Sequence, residues 1–216
     1  MAVILPYAVT VCGFAELADY CSAGVSHVLS ILDPGSPIPE ELALFSEHRR
    51  LELRFHDIVA DQPGMQPPGP EHICRLQALG RDLTAARSAD RHLLIHCHAG
   101  FSRSPAVVAL LLAQAQPSLA AERLAVEVLR IRPNAWPNLR IMELGDSVLH
   151  RRGELVEAAS WIYRYRLQHE PGLADMIAEN GRAREVQAGR RLEGSADFRQ
   201  RLGHFRRELR TYGVGL

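Results

Sequence analysis

Residues 96–104 read His-Cys-His-Ala-Gly-Phe-Ser-Arg-Ser, and this stretch decides the fold. Apolar residues 93–95 before it predict a buried strand, and the apolar run over residues 104–114 predicts a helix. A short loop between a strand and a helix is a frequent anion-binding site in α/β proteins. The Cys97-x5-Arg103 spacing alone often occurs by chance. A His before the Cys and a Gly three residues after it make the whole pattern far rarer and therefore specific.

The chemistry of this loop explains why these residue types occur together. Gly100 permits a tight path, and the N–H groups of residues 98–103 can point inward around a tetrahedral oxyanion. The guanidinium of Arg103 can hold two phosphate oxygens at once. These donors stabilise the thiolate of Cys97, which becomes the nucleophile, and Ser104 is placed to donate a hydrogen bond to its sulfur. The predicted phosphate-contacting residues are His98, Ala99, Gly100, Phe101, Ser102 and Arg103.

Two other readings of the same residues compete with this one. A buried free cysteine is usually an inert core residue. A zinc site would use His92, His96, Cys97 and His98, but the last three are contiguous, point apart on an extended chain and lack a second ligand cluster. We therefore predict no metal and no other cofactor, and we expect His96 to be a supporting residue that hydrogen-bonds carbonyls of the loop.

The pattern on either side of the loop predicts an α/β fold. The predicted class is a central, mostly parallel sheet of about four to five strands flanked by helices, with a C-terminal helical extension. Apolar or alternating runs indicate strands over residues 8–12, 27–32, 51–55 and 93–95. Helices are predicted over residues 15–21, 40–49, 71–87, 104–114, 120–131, 139–149 and 154–169. Residues 56–70 form a loop rich in proline and glycine, of a length that is often functional.

Charge divides the chain into two parts. All 25 basic residues are arginine and balance 25 acidic ones, which argues against a nucleic-acid-binding protein. Residues 1–150 carry 12 Arg and 16 acids, whereas residues 151–216 carry 13 Arg and 9 acids. We predict a catalytic domain over residues 1–150 and an Arg-rich, mainly helical extension over residues 151–216, which offers a surface for a partner.

Cysteine use and hydropathy bear on the compartment. Four cysteines without regular spacing form no disulfide framework, which is typical of a reducing compartment. The N-terminal residues lack the basic start of a signal peptide, and no apolar run approaches the length of a membrane span. The sequence therefore predicts a cytoplasmic protein without membrane insertion.

The HCHAGFSRS loop resembles the signature of the cysteine-dependent protein tyrosine phosphatases, especially their dual-specificity-like branch. Residues 51–55, followed by Asp57, are similar to the strand that leads to that family's general-acid loop. Residues 128–138, with Arg132-Pro133 and Pro137-Asn138, resemble its later helix connection. The resemblance covers roughly residues 5–150, and it implies the phosphatase fold for that part of the chain.

The resemblance also implies roles for individual residues. Cys97 would attack phosphorus and form a phosphocysteine, while Arg103 and the loop amides would hold the phosphate oxygens. An Asp would protonate the leaving group and then deprotonate the attacking water. Asp57 is the first choice for that acid and Asp61, four residues further along the same loop, is the second.

The substrate is inferred from the variable positions of the loop. Lipid and inositol phosphatases of this superfamily often carry lysines there, whereas this chain has His98 and Phe101. The implied substrate is therefore phosphotyrosine in a protein or peptide, with phosphoserine and phosphothreonine left open. The alternatives are a phosphoinositide or other non-protein phosphomonoester phosphatase, a phosphotyrosine-binding module without turnover, and a rhodanese-type sulfurtransferase.

Overall fold

A four-stranded parallel sheet forms the centre of the computed structural model, which describes residues 5–85, 91–192 and 198–214. The strands are β1 (Ala8–Cys12), β2 (His27–Leu32), β3 (Arg49–Arg54) and β4 (His92–His96), in the order β1-β4-β2-β3. In β4, Leu93, Leu94 and Ile95 are fully buried, since helices cover both faces of a parallel sheet. The predicted fold class is confirmed.

Eight α-helices within the described residues pack in the apolar cluster on the face of the sheet that carries Leu93 and Ile95. They are α1 (Pro70–Ala85), α2 (Arg103–Ala115), α3 (Ala121–Ile131), α4 (Leu139–Val148), α5 (Glu154–His169), α6 (Leu173–Ile177), α7 (Ala183–Arg191) and α8 (Phe198–Thr211). The predicted helix boundaries agree closely from α1 to α5, although residues 86 and 87 of the predicted 71–87 helix lie outside the described residues.

Two predicted helices near the N-terminus are corrected. The helix predicted over residues 15–21 is a 3-10 helix, Phe14–Tyr20. The helix predicted over residues 40–49 is only a short 3-10 helix, Glu40–Leu44, because the chain must return to the sheet. Arg49 opens β3, where it is the register partner of His27 in β2. Pairing with a distant strand therefore overrides the helical tendency of that segment.

The C-terminal helices share one hydrophobic core with the rest of the chain. On α5, Trp161, Ile162 and Tyr163 are fully buried and belong to the same apolar cluster as α2 and β4. On α8, Phe205 is also buried and packs against Trp161, with ring centroids 5.2 Å apart. The described part of residues 151–216 is thus continuous with the core of residues 1–150, and the domain boundary at residue 150 stays a prediction.

Several arginines of the extension are structural. Arg151 and Arg166 are buried and donate to backbone carbonyls of the preceding part of the chain. Arg151 Nη2 lies 2.6 Å from Leu119 O, and Arg166 Nη1 lies 3.0 Å from Ala135 O. Partner binding by the extension stays a prediction. Within the described ranges, every helix is too short or too polar to span a membrane.

Candidate active site

The predicted loop lies at the carboxyl end of β4, where parallel α/β sheets usually bind ligands. Cys97 follows β4 directly and is 2% exposed. Gly100 has a φ of +63°, and a Cβ there would lie 2.5 Å from the carbonyl carbon of Cys12. Only glycine tolerates both the conformation and this close approach of the loop to the end of β1.

The end of β1 holds the other side of the loop. Phe14 N donates to His98 O at 2.9 Å. Arg132 makes a two-pronged ion pair with Glu16, with both N–O distances 2.9 Å, and its Nη2 also donates to Ala99 O at 3.3 Å. The hydrogen bonds from Arg132 lower the pKa of Glu16, so the pair stays charged near neutral pH. The loop path is therefore fixed from outside the motif.

The guanidinium of Arg103 is hydrogen-bonded through Nη1, whereas its Nε has no partner among the described residues. Its Nη1 donates to Asp33 Oδ1 at 2.5 Å and to Phe55 O at 2.8 Å. Its Nε is buried and has no hydrogen-bond partner among the described residues. A buried N–H without a partner is costly, so a ligand or a water molecule that accepts from Nε would lower that cost. The Asp33 anchor sets the plane of the fork that a phosphate would meet.

The start of α2 contributes further donors. Ser104 Oγ is buried and finds no partner in the described ranges, so the predicted hydrogen bond to the sulfur of Cys97 is not formed here. Ser102 occupies the N-cap position, but its hydroxyl makes no capping bond. It donates instead to Asp57 Oδ1 at 2.8 Å. The backbone N–H groups of the first turn of α2 therefore receive no hydrogen bond from the Ser102 side chain. The N-terminus of a helix is a common binding position for an anion.

The two candidate acids lie in different surroundings. Asp57 contacts the loop, because its Oδ1 accepts from both Ser102 Oγ and Asn138 Nδ2 at 2.8 Å. Asp61 instead pairs with Arg140 Nη1 at 2.6 Å, and its side chain is 81% exposed. Of the two, only Asp57 is hydrogen-bonded to the loop in the described structure.

His96 makes a different contact from the one predicted. Its Nε2 bonds to Ser30 Oγ on β2 at 2.7 Å, and its Nδ1 has no partner among the described residues, so the expected bonds to loop carbonyls are not made. Burial lowers the pKa of His96 to about 4, with a smaller contribution from the positive charges of Arg50 and Arg103. The ring next to Cys97 is therefore neutral at physiological pH.

The remaining loop residues differ in exposure. His98 and Ala99 are exposed, and His98 makes an edge contact with Phe14 at 5.1 Å between ring centroids. Phe101 is half-buried beneath the guanidinium of Arg166. His92, weighed above as a zinc ligand, bonds through both ring nitrogens to Thr10 and Ala23, and no group of three or more potential ligands is clustered within the described ranges.

Four site residues were not found from the sequence. Asp33 follows β2 in a turn-like Asp-Pro-Gly, which carries no sign of contact with Arg103. Asn138 was noted only as part of a helix connection, although it caps α4 and binds Asp57. Arg182 and Glu185 lie in the C-terminal extension, where arginines and acidic residues are so frequent that the sequence does not distinguish these two from the others. Arg182 Nη2 donates to Ser102 Oγ at 2.8 Å.

Comparison with known proteins supports the fold assignment. No family model and no curated protein matches the sequence. The crystal structure of human DUSP28 matches with a TM-score of 0.50 and 19% identity, over 69% of this chain and 96% of that one. DUSP15 matches with a TM-score of 0.48 and 21% identity, over 73% and 94% of the two chains. PTPMT1 in complex with PI(5)P matches with a TM-score of 0.47 and 16% identity, over 69% and 94%. With its four-stranded parallel sheet, this chain shares the fold of human DUSP28.

Proposed function

We propose that this protein is a phosphatase that hydrolyses phosphotyrosine in proteins or peptides through a phosphocysteine intermediate. The observation that carries the proposal is a pair of buried donors, Arg103 Nε and Ser104 Oγ, that have no hydrogen-bond partner among the described residues. Both lie at the start of α2, the positive end of a helix. A tetrahedral dianion would satisfy both donors and the loop amides together.

The first chemical step transfers the phosphoryl group to sulfur. The thiolate of Cys97 attacks phosphorus from the floor of the loop, an S–P bond forms, and the bond from phosphorus to the phenolic oxygen breaks. Asp57 gives its proton to that oxygen as the bond breaks. Arg103 and the loop amides hold the three equatorial oxygens, whose negative charge needs a preorganised set of donors.

The second step regenerates the enzyme. A water molecule attacks phosphorus on the side that the phenol has left, and Asp57, now a carboxylate, accepts one of its protons. The S–P bond breaks, inorganic phosphate leaves and Cys97 returns to the thiolate. Each proton taken from Asp57 in the first step is thus replaced in the second.

The choice of substrate rests on the rim of the loop. No lysine stands inside it to bind additional phosphates, and the exposed face carries His98 and the half-buried Phe101. These side chains suit one phosphate on an aromatic leaving group better than a polyphosphorylated headgroup. We also propose a cytoplasmic location, since the mechanism needs a reduced thiol and the four cysteines are free.

A phosphatase assay in the presence of a metal chelator tests the proposal. The full chain should release phosphate from a phosphotyrosine peptide faster than from a phosphoserine peptide or phosphatidylinositol 5-phosphate. Cys97→Ser should lose turnover, because the alcohol does not ionise. It should still bind the peptide, because Arg103 and the loop amides remain in place. Cys74→Ser, on the exposed side of α1, is the matched control and should behave as wild type.

The same assay distinguishes the other readings. Binding of phosphotyrosine without turnover by wild type would indicate a recognition module. Faster turnover of the lipid would indicate a phosphoinositide phosphatase. Thiocyanate formation from thiosulfate and cyanide, without phosphate release, would indicate a sulfurtransferase.

A further inference from the structure

Arg182 reaches the active site from the C-terminal part of the chain. It ends the turn Ala178–Arg182, in which Gly181 has a φ of +73° and redirects the backbone between α6 and α7. The residue is 7% exposed. Its Nη2 donates to Ser102 Oγ at 2.8 Å, and its Nη1 lies 3.5 Å from Asp57 Oδ2. One guanidinium therefore touches both the phosphate loop and the candidate acid.

A buried carboxylate holds this guanidinium in place. Glu185 is fully buried and receives Nε and Nη2 of Arg182, each at 2.8 Å. The same carboxylate accepts Trp136 Nε1 at 2.6 Å and Leu139 N at 3.0 Å. Burial raises the pKa of Glu185, and the charge of Arg182 opposes that rise. Buried ion pairs contribute little net stability. The orientation of Arg182 is therefore better explained by the contacts of its Nη1 and Nη2 with Asp57 and Ser102.

The two oxygens of Asp57 are used differently. Oδ1 accepts two hydrogen bonds, from Ser102 and Asn138. Among the described residues, the contact found for Oδ2 is the longer 3.5 Å ion pair with Arg182. That distance is too long for a hydrogen bond, so the contact is electrostatic. Oδ2 is therefore the oxygen left to carry the transferable proton, and Arg182 faces the charge that develops on it.

The segment around Arg182 also forms a wall of the cleft at Asp57. Met176, Ile177 and Asn180 line this cleft together with Asp57 and Phe101. A substrate held by the loop would extend its leaving group along this side. The C-terminal segment thus borders the position where the proton is transferred.

We propose that Arg182 is a positioning residue of the reaction, which fixes Ser102 and Asp57 and stabilises the Asp57 carboxylate as its proton leaves. This inference rests on the proposed phosphatase activity. It assigns to the extension a direct role in the acid half of the mechanism. The effect belongs to kcat, because Arg182 contacts the acid and the loop hydroxyl, while Arg103 and the loop amides hold the phosphate.

Steady-state kinetics of Arg182→Gln in the full chain test this role. We expect kcat for a phosphotyrosine peptide to fall at least about tenfold, while KM changes by less than about threefold. The loss on p-nitrophenyl phosphate should be several-fold smaller, because nitrophenolate needs less protonation as it leaves. Arg182→Lys keeps the charge near Asp57 and should recover part of the lost kcat.

The matched control is Arg184→Gln, two residues further along. Arg184 pairs with Glu143 and is half-exposed, so removing the same charge there should leave kinetics near wild type. Thermal unfolding of each variant separates loss of fold from loss of function, and Arg182→Lys provides a reading if Arg182→Gln does not fold. Equal losses on both substrates, or a raised KM with unchanged kcat, would overturn the positioning role. Inactive wild type would overturn the phosphatase proposal itself, and the inference with it.

Discussion

The loop around Cys97 and the segment around Arg182 both reach the candidate active site, but they are encoded in different ways. The loop is contiguous, and its chemistry can be read from nine neighbouring residues. Arg182 and Glu185 lie about 80 residues further along and meet Ser102 and Trp136 only in the folded chain. The comparison teaches that the proposed nucleophile lies in a locally encoded segment, whereas the surroundings of the proposed acid are assembled by tertiary contacts.

Truncation after residue 150 tests that difference most severely. Residues 1–150 alone should fail to unfold cooperatively in thermal or urea denaturation. The truncation removes Trp161 and Tyr163 from the core, and each large aromatic is worth about 3–5 kcal/mol. Domains of this size are stable by only about 5–15 kcal/mol. A folded, active fragment would mean that the extension is dispensable to both halves of the site.

Asp57→Asn tests the acid half directly. We expect hydrolysis of phosphotyrosine to slow about 10²–10⁴-fold, because the phenolate leaving group needs a proton, with a smaller loss for p-nitrophenyl phosphate. Asp61→Asn should stay near wild type, since Asp61 pairs with Arg140 away from the loop. The reverse pattern would move the acid to Asp61, and no effect from either variant would place it outside residues 56–70.

Arg103→Lys tests the nucleophile half. An ammonium cannot make the two-pronged contact, so kcat/KM should fall at least about tenfold, or about 1.4 kcal/mol. Arg130→Lys is the control, because Arg130 lies on α3, pairs with Glu127 and is 42% exposed at its side chain. A loss smaller than tenfold would count against Arg103 as a ligand of the transition state.

His96 gives the smallest expected effect, on stability alone. Burial lowers its pKa to about 4 from 6.5, so the folded state binds fewer protons than the unfolded state between those values. The free energy of unfolding therefore keeps its full His96 contribution above pH 6.5. It falls by about 3 kcal/mol in total as the pH drops toward 4. Urea unfolding at pH 7 and pH 4.5 should show a smaller pH dependence for His96→Gln than for wild type. Equal dependence in both would mean that His96 is not held neutral.

The order and type of most elements follow from sequence pattern. All four strands and helices α1 to α5 were predicted because their apolar residues are periodic, alternating or continuous over several residues. The helix predicted over residues 40–49 was wrong, because Arg49 pairs with β2. That pairing is a long-range contact, which the local sequence pattern does not contain. Local periodicity reports burial of a face, but it does not report which distant strand provides the partner.

The sequence by itself predicted the loop, with Cys97 as its proposed nucleophile and Arg103 as its proposed phosphate ligand, since both lie in one short segment whose tight path Gly100 permits. Tertiary structure decided what surrounds them. Asp33 orients Arg103 from the end of β2, while Asn138 and Ser102 bond to Asp57. Arg182 is placed by a buried carboxylate on α7. The physical reason is that hydrogen bonds and charge interactions depend on distances of about 3 Å in space, which sequence separation does not record.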